Sequence, residues 1–213
     1  DRMLKLWNLV EDREVKTLEG HKSAVTTLDF SPNNWYAASG DREGTIVIWH
    51  VGNKSELHRF RGAKSAITSI VFFRNDRILA ASLDGSVKIW EASTGQHLET
   101  FTSDGSAVLY ADVSSDRRFG VTAGAQGLVT IWNMATGAEF RRLEGHAASV
   151  VFAAFSGDGD LLLTADSGLT HRLWDFESGR LVRSFKPLSE ALDTEILSRS
   201  SETPNEIWSE SNS

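Results

Sequence analysis

A tryptophan returns every 41 or 42 residues along this chain, at Trp7, Trp49, Trp90, Trp132 and Trp174. One unit of about forty residues is therefore copied along its length, which constrains the architecture more than any single residue does. The residues one and three before each tryptophan are apolar in nine of ten cases, His171 being the exception. That is the period-2 pattern of a strand with one face in a core, not the 3.6-residue period of a helical repeat. Upstream of each complete window lie two more strand-like runs. The first is 25–30, 67–72, 108–113 or 150–155, and the second is 35–39, 78–82, 119–123 or 161–165. Turn chemistry separates them, as in Ser31-Pro32-Asn33-Asn34 and Ser156-Gly157-Asp158-Gly159. A fourth run follows each tryptophan, at 57–60, 98–101, 140–143 or 181–185. Four strands per unit predict an all-β propeller with four-stranded antiparallel blades, four complete and one partial.

The histidines of Gly20-His21 and Gly145-His146 each stand 28 residues ahead of their tryptophans, and Trp174-Asp175 closes its unit. In these motifs, over residues 1–186, the chain resembles the WD-repeat β-propellers. The resemblance implies a hydrogen-bonded relay inside each blade, built from a His, a Ser or Thr on the second strand, an Asp in the following turn and the Trp. By position the relay residues are His21, Ser39 and Trp49; Asp84 and Trp90; Thr122 and Trp132; His146, Thr164 and Trp174; and Asp1 with Trp7 in the partial unit. On that alignment Glu43, Gln126 and Gly168 occupy the aspartate position, Ala63 and Asp104 replace the histidine, and Ala80 replaces the hydroxyl residue. No complete unit is then expected to hold all four partners, each loss forfeiting a hydrogen bond of about 0.5–1.5 kcal/mol.

The units run 1–19 (partial), 20–61, 62–102, 103–144 and 145–186, followed by an acidic, Ser-rich tail at 187–213 that is expected to be disordered or to hold degenerate strands. Six acidic residues against Arg199 give the tail −5 of the net −7, leaving −2 for the repeats. A nearly neutral repeat region carries no electrostatic footprint for nucleic acid. No apolar run approaches the ~18 residues that span a bilayer, so no membrane partner is expected. Zero cysteines exclude disulfides and thiol catalysis.

The six histidines lack ligand spacing, so no metal is expected. His171 reads as a tolerated core or edge residue. Asp158-Gly159-Asp160 lacks the later ligands of a calcium loop, and Gly62-Ala63-Lys64-Ser65 lacks the Gly-Lys adjacency of a phosphate loop. Asn53-Lys54-Ser55 is a glycosylation sequon that matters only in a secreted chain. With no catalytic constellation, neither an enzyme nor a cofactor is predicted.

The resemblance implies a scaffold that docks peptides or proteins on one face, formed by the loops before each first strand and the turns between second and third strands. By position these are Lys22, Ser23 and Ala24; Lys64, Ser65 and Ala66; Gly105, Ser106 and Ala107; Ala147, Ala148 and Ser149; with Arg42, Leu83, Ala125 and Ser167 from the turns. Lys22, Arg42 and Lys64 make a basic sector suited to an acidic or phosphorylated peptide. The alternative is a regulatory or substrate-recruiting segment of a larger enzyme or ribonucleoprotein factor. The family implies a cytoplasmic or nuclear location. Residues 1–19 supply only two strands of a blade. The chain is expected to be a fragment of a larger, seven-bladed ring, or else a five-bladed ring closed by tail strands around Leu192, Ile196, Leu197, Ile207 and Trp208.

Overall fold

The computed structural model describes residues 1–102 and 105–186. The tail, its expected closing strands and Asp104 lie outside them. Among the described residues the chain is all β, with one single-turn 3₁₀ segment at Ala125–Gly127.

Strands β1 (Met3–Asn8) and β2 (Arg13–Glu19) form a two-stranded antiparallel sheet. Four four-stranded sheets follow, each made of consecutive strands. Blade 1 is β3 (Val25–Phe30), β4 (Tyr36–Asp41), β5 (Thr45–His50) and β6 (Ser55–Arg61). Blade 2 is β7 (Ile67–Arg74), β8 (Arg77–Ser82), β9 (Ser86–Glu91) and β10 (His97–Thr102). Blade 3 is β11 (Val108–Val113), β12 (Phe119–Gly124), β13 (Val129–Asn133) and β14 (Glu139–Leu143). Blade 4 is β15 (Val150–Phe155), β16 (Leu161–Asp166), β17 (His171–Asp175) and β18 (Leu181–Phe185). The predicted propeller, with four complete blades and a partial one, is thus the observed fold.

Apolar seams between blades form the core. Ile46, Ile48, Ile70, Phe72 and Ile78 pack between blades 1 and 2, Leu79, Val87, Val108 and Ala111 between blades 2 and 3, and Val121, Ile131, Val150 and Ala153 between blades 3 and 4. The repeat tryptophan of each complete blade meets the last strand of the preceding unit. Trp49 packs with Leu18, Trp90 stacks on Phe60 with ring centres 4.4 Å apart, Trp132 stacks on Phe101 at 5.4 Å, and Trp174 packs with Leu143. The 42-residue period is therefore the period of the blade seam.

First strands lie side by side, β3 on β7, β7 on β11 and β11 on β15, at the inner edge of the arc. An inner strand has a free edge whose N–H groups need acceptors. Side chains supply them: Thr27 Oγ1 accepts from Ile70 N–H at 3.2 Å, Asp29 Oδ2 from Phe72 N–H at 2.7 Å and Ser69 Oγ from Ala111 N–H at 2.9 Å. Leu28 and Phe30 are 53% and 41% exposed, whereas their counterparts Ile70 and Phe72 are buried under the preceding blade. At the other end of the arc His171 is exposed in β17, while its counterparts Ile46, Val87 and Val129 are buried, so this histidine occupies a blade flank that no described residue covers.

Candidate docking face and the relays that hold it

Two blades contain a complete buried relay. In blade 1, Trp49 Nε1 donates to Ser39 Oγ at 2.9 Å, Ser39 Oγ lies 2.7 Å from His21 Nε2, and His21 Nδ1 lies 2.8 Å from Asp41 Oδ2. Blade 4 repeats this through Trp174, Thr164, His146 and Asp166, at 2.8, 2.7 and 2.7 Å. A carboxylate only accepts, so each imidazole donates from Nδ1. With the ring neutral, Nε2 then accepts from the hydroxyl, which in turn accepts from the indole. Every donor in the series has one acceptor, and all four side chains are buried.

The aspartate corrects the sequence alignment. It stands eight residues before the tryptophan, at Asp41 and Asp166, and not six before it, at Glu43 and Gly168. Blades 1 and 4 therefore hold all four partners. The physical reason is reach. An aspartate at the end of the second strand turns one oxygen to the imidazole and the other to the following turn. Asp41 Oδ1 accepts from Glu43 N–H and Thr45 N–H, and Asp166 Oδ1 from Gly168 N–H and Thr170 N–H. Burial pushes both carboxyls up in pKa, but the imidazole and the two backbone donors outweigh it, so both lie below the ordinary carboxylate value.

Asp84 is not a relay member. Its carboxylate accepts from Lys64 N–H at 2.6 Å and from Ser86 N–H and Oγ at 2.9 and 2.6 Å, clamping the loop before β7 to the turn after β8. Blade 2 carries Ser82 at the true aspartate position, and Ser82 Oγ donates to Ser65 O instead. With Ala63 and Ala80 at the histidine and hydroxyl positions, Trp90 Nε1 is buried without a partner among the described residues. In blade 3 Trp132 Nε1 still donates to Thr122 Oγ1 at 2.8 Å, but Gly124 takes the aspartate position. Asp1 and Trp7 form no relay either: Asp1 O accepts from Val25 N–H, and Trp7 is half-exposed.

The relay histidines begin the loops that lead into β3 and β15, which ties the blade interior to the loop face. One repeated backbone bond joins the two loops of each blade there. Arg42 N–H donates to Ala24 O, Leu83 N–H to Ala66 O and Ala125 N–H to Ala107 O, each at 3.0 Å, and Ser167 N–H to Ser149 O at 2.8 Å. Ser23, Ser65, Ser106 and Ala148 lie in the leading loops of this face and are half-buried. Lys22, Arg42, Lys64, Leu83 and Ser167 are exposed. Blade-to-blade contact continues along it, since Gly62 and Ala63 N–H both donate to Gly44 O. Gly44, Gly85 and Gly127 have φ of +85°, +82° and +77°, and a Cβ on any of them would run into the backbone of the next blade's leading loop. Leu169 takes the same position in blade 4 with φ of 62°, and is 61% exposed.

The side chains of Lys22, Arg42 and Lys64 have no hydrogen-bond or ion-pair partner among the described residues. Glu43 and the half-buried Asp84 share their sector, so it is mixed in sign rather than uniformly basic. No group of three His, Asp or Glu among the described residues is placed to hold a metal, and no helix there is long and apolar enough to cross a membrane.

Comparison with known proteins agrees with this architecture. The chain is similar to the SIR4-interacting protein SIF2 of Saccharomyces cerevisiae, 26% identical over 52% of this chain and 21% of that protein. It is also similar to apoptotic protease-activating factor 1 of Rattus norvegicus, 28% identical over 57% of this chain and 10% of that one. A third relative is the small ribosomal subunit protein RACK1y of Oryza sativa, 31% identical over 43% of this chain and 27% of that one. The chain thus matches between a tenth and about a quarter of the length of these relatives. The crystal structure of the computationally designed Ika8 protein superposes with a TM-score of 0.78 at 30% identity, covering 87% of this chain and 56% of the other. The family model for the WD domain, G-beta repeat, matches residues 12–50, 54–91 and 137–175, more than half of the chain. The chain belongs to the WD40 repeat family.

Proposed function

We propose that this propeller segment is a non-catalytic protein-interaction scaffold whose docking surface is the loop face. Lys22, Ser23, Arg42, Lys64, Ser65, Leu83, Ser106, Ala148 and Ser167 contribute to it. The observation that carries the reading is the repeated backbone bond between the two loops of every blade. It braces the eight loops in pairs, one pair per blade, so that less ordering entropy is lost on binding. The unpartnered cations of Lys22, Arg42 and Lys64 favour an acidic or phosphorylated peptide, and a cytoplasmic or nuclear location fits such a partner.

A second reading is favoured by the small share of each relative that the chain matches. In it the arc is a recruiting or regulatory segment of a larger protein that supplies activity elsewhere. Both readings use the same face. Affinity capture with the intact chain and with Lys22→Glu, Arg42→Glu and Lys64→Glu combined tests it. Partners held by the loop face should be lost from the triple variant, and an unchanged partner set would reject this face as the docking surface.

A further inference from the structure

The opposite face of the arc carries a groove of about 670 Å³ that the loop-face reading does not use. Its origin is a difference in hairpin length. Between the last paired residues of the first two strands, blades 1, 3 and 4 have six residues, 31–36, 114–119 and 156–161. Blade 2 has two, Asn75 and Asp76, because Arg74 still pairs with Arg77. In the longer hairpins a serine hydroxyl organises the turn: Ser31, Ser114 and Ser156 donate to Asn33, Asp116 and Asp158. Blade 2 has buried Phe73 in place of that serine. The short hairpin thus lies between two taller ones, and the trough above it is the groove.

Three groups face this trough. Trp35 is 65% exposed, at a position fourteen residues before the repeat tryptophan where the other blades carry Asp76, Arg118 and Asp160. Packing cannot account for an exposed indole where every other unit has a charge. Its backbone is fixed, because Trp35 N–H donates to Asn33 Oδ1 at 3.1 Å and Trp35 O accepts from Val51 N–H at 2.9 Å. Arg117 crosses from blade 3 and donates from Nη1 to Phe72 O at 3.0 Å, which holds its guanidinium at the groove wall. Arg74 is exposed and has no side-chain partner among the described residues. The groove therefore sets one aromatic surface against two guanidinium groups, with Asp76 the sole acidic residue lining it among the described residues. Trp, Tyr and Arg are the side chains that dominate binding energy at interfaces, and guanidinium selects carboxylates.

We propose that this groove is a second docking site, taking an extended acidic segment of a partner protein. A carboxylate of the segment sits on Arg74 and Arg117, and an adjacent apolar side chain sits on Trp35 and Tyr36.

The test uses the full chain carrying Lys22→Glu, Arg42→Glu and Lys64→Glu, which removes the loop-face cations from the experiment. A fluorescein-labelled hexapeptide of alternating glutamate and leucine is titrated by anisotropy, with a glutamine-for-glutamate peptide as control. Saturable binding is expected, weakened about tenfold by Arg74→Glu, by Trp35→Ala and by the glutamine control. Both substitutions are at exposed positions, and an unchanged melting temperature verifies that the fold survives. Absence of saturable binding, or an affinity unchanged within twofold in either variant, overturns the proposal. Because the loop face is already altered, this result is independent of the outcome for the loop-face reading.

Discussion

Replacing Ser39 by alanine removes one oxygen from the centre of the blade 1 relay. That oxygen accepts from Trp49 Nε1 and donates to His21 Nε2, so its loss orphans two groups at once. Trp49 is 2% exposed and His21 6%, so water does not replace the missing partner. An orphaned buried polar group costs about 1–3 kcal/mol, which puts Ser39→Ala at about 2–4 kcal/mol once partial relaxation is allowed for. For a folded unit of this size, 1 kcal/mol shifts the melting temperature by about 2–4 °C, so a fall of about 4–16 °C is expected. Near-ultraviolet circular dichroism on heating measures it. Ser39→Thr is the control, since Thr122 and Thr164 already accept from their tryptophans in blades 3 and 4, and it should recover most of the loss. A melt for Ser39→Ala within about 1 °C of the parent would refute the relay as a source of stability.

Blade 2 offers the reverse experiment. Ala80→Ser places an acceptor opposite the orphaned Trp90 Nε1 and should stabilise by about 1 kcal/mol in the same melt. Leu169→Gly relieves a left-handed residue with a Cβ, and should raise stability by about 0.5–1 kcal/mol in a urea titration. Asp41 and Asp166 have pKa values lowered on folding, so their contribution is fully present above the unfolded value of about 4 and is lost as pH falls through the lower folded values. The stability gap between the parent and Asp41→Asn should therefore be widest at pH 7 and close in acid. Asp112 behaves oppositely. Burial, with Asp29 nearby, raises its pKa, so its ionisation penalises the fold increasingly as pH rises above about 4. Asp112→Asn should stabilise at pH 7 and be neutral at pH 3 by urea unfolding at the two pH values.

The blade architecture was legible because its signals are local and repeated. A strand with one buried face must alternate, and a seam tryptophan must recur once per blade. The loop face was legible for the same reason, since strand order fixes which turns lie together. The relay aspartate is ambiguous in the sequence because the end of β4 and the turn after it hold two acids, Asp41 and Glu43, and spacing alone does not say which one reaches the imidazole. Strand register decides it, putting Asp41 at the strand end beside the histidine loop. A signal was present: Asp41 and Asp166 both stand eight residues before their tryptophans. The groove around Trp35 was illegible for a different reason. It arises from the height of one hairpin relative to its neighbours, a property of three blades together that no single unit of sequence carries. Leu169 was similarly silent, because the demand for glycine at its counterparts comes from the neighbouring blade's backbone.

The claim on which the account turns is that partners dock on the loop face. Amide hydrogen exchange of the chain with and without a captured partner reads this directly, residue by residue. Slowed exchange is expected across 22–24, 64–66 and 147–149, the leading loops joined by backbone bonds to the turns at 42, 83 and 167. Unchanged exchange in all of these loops, with protection confined to the outer strands β6, β10, β14 and β18, would contradict it.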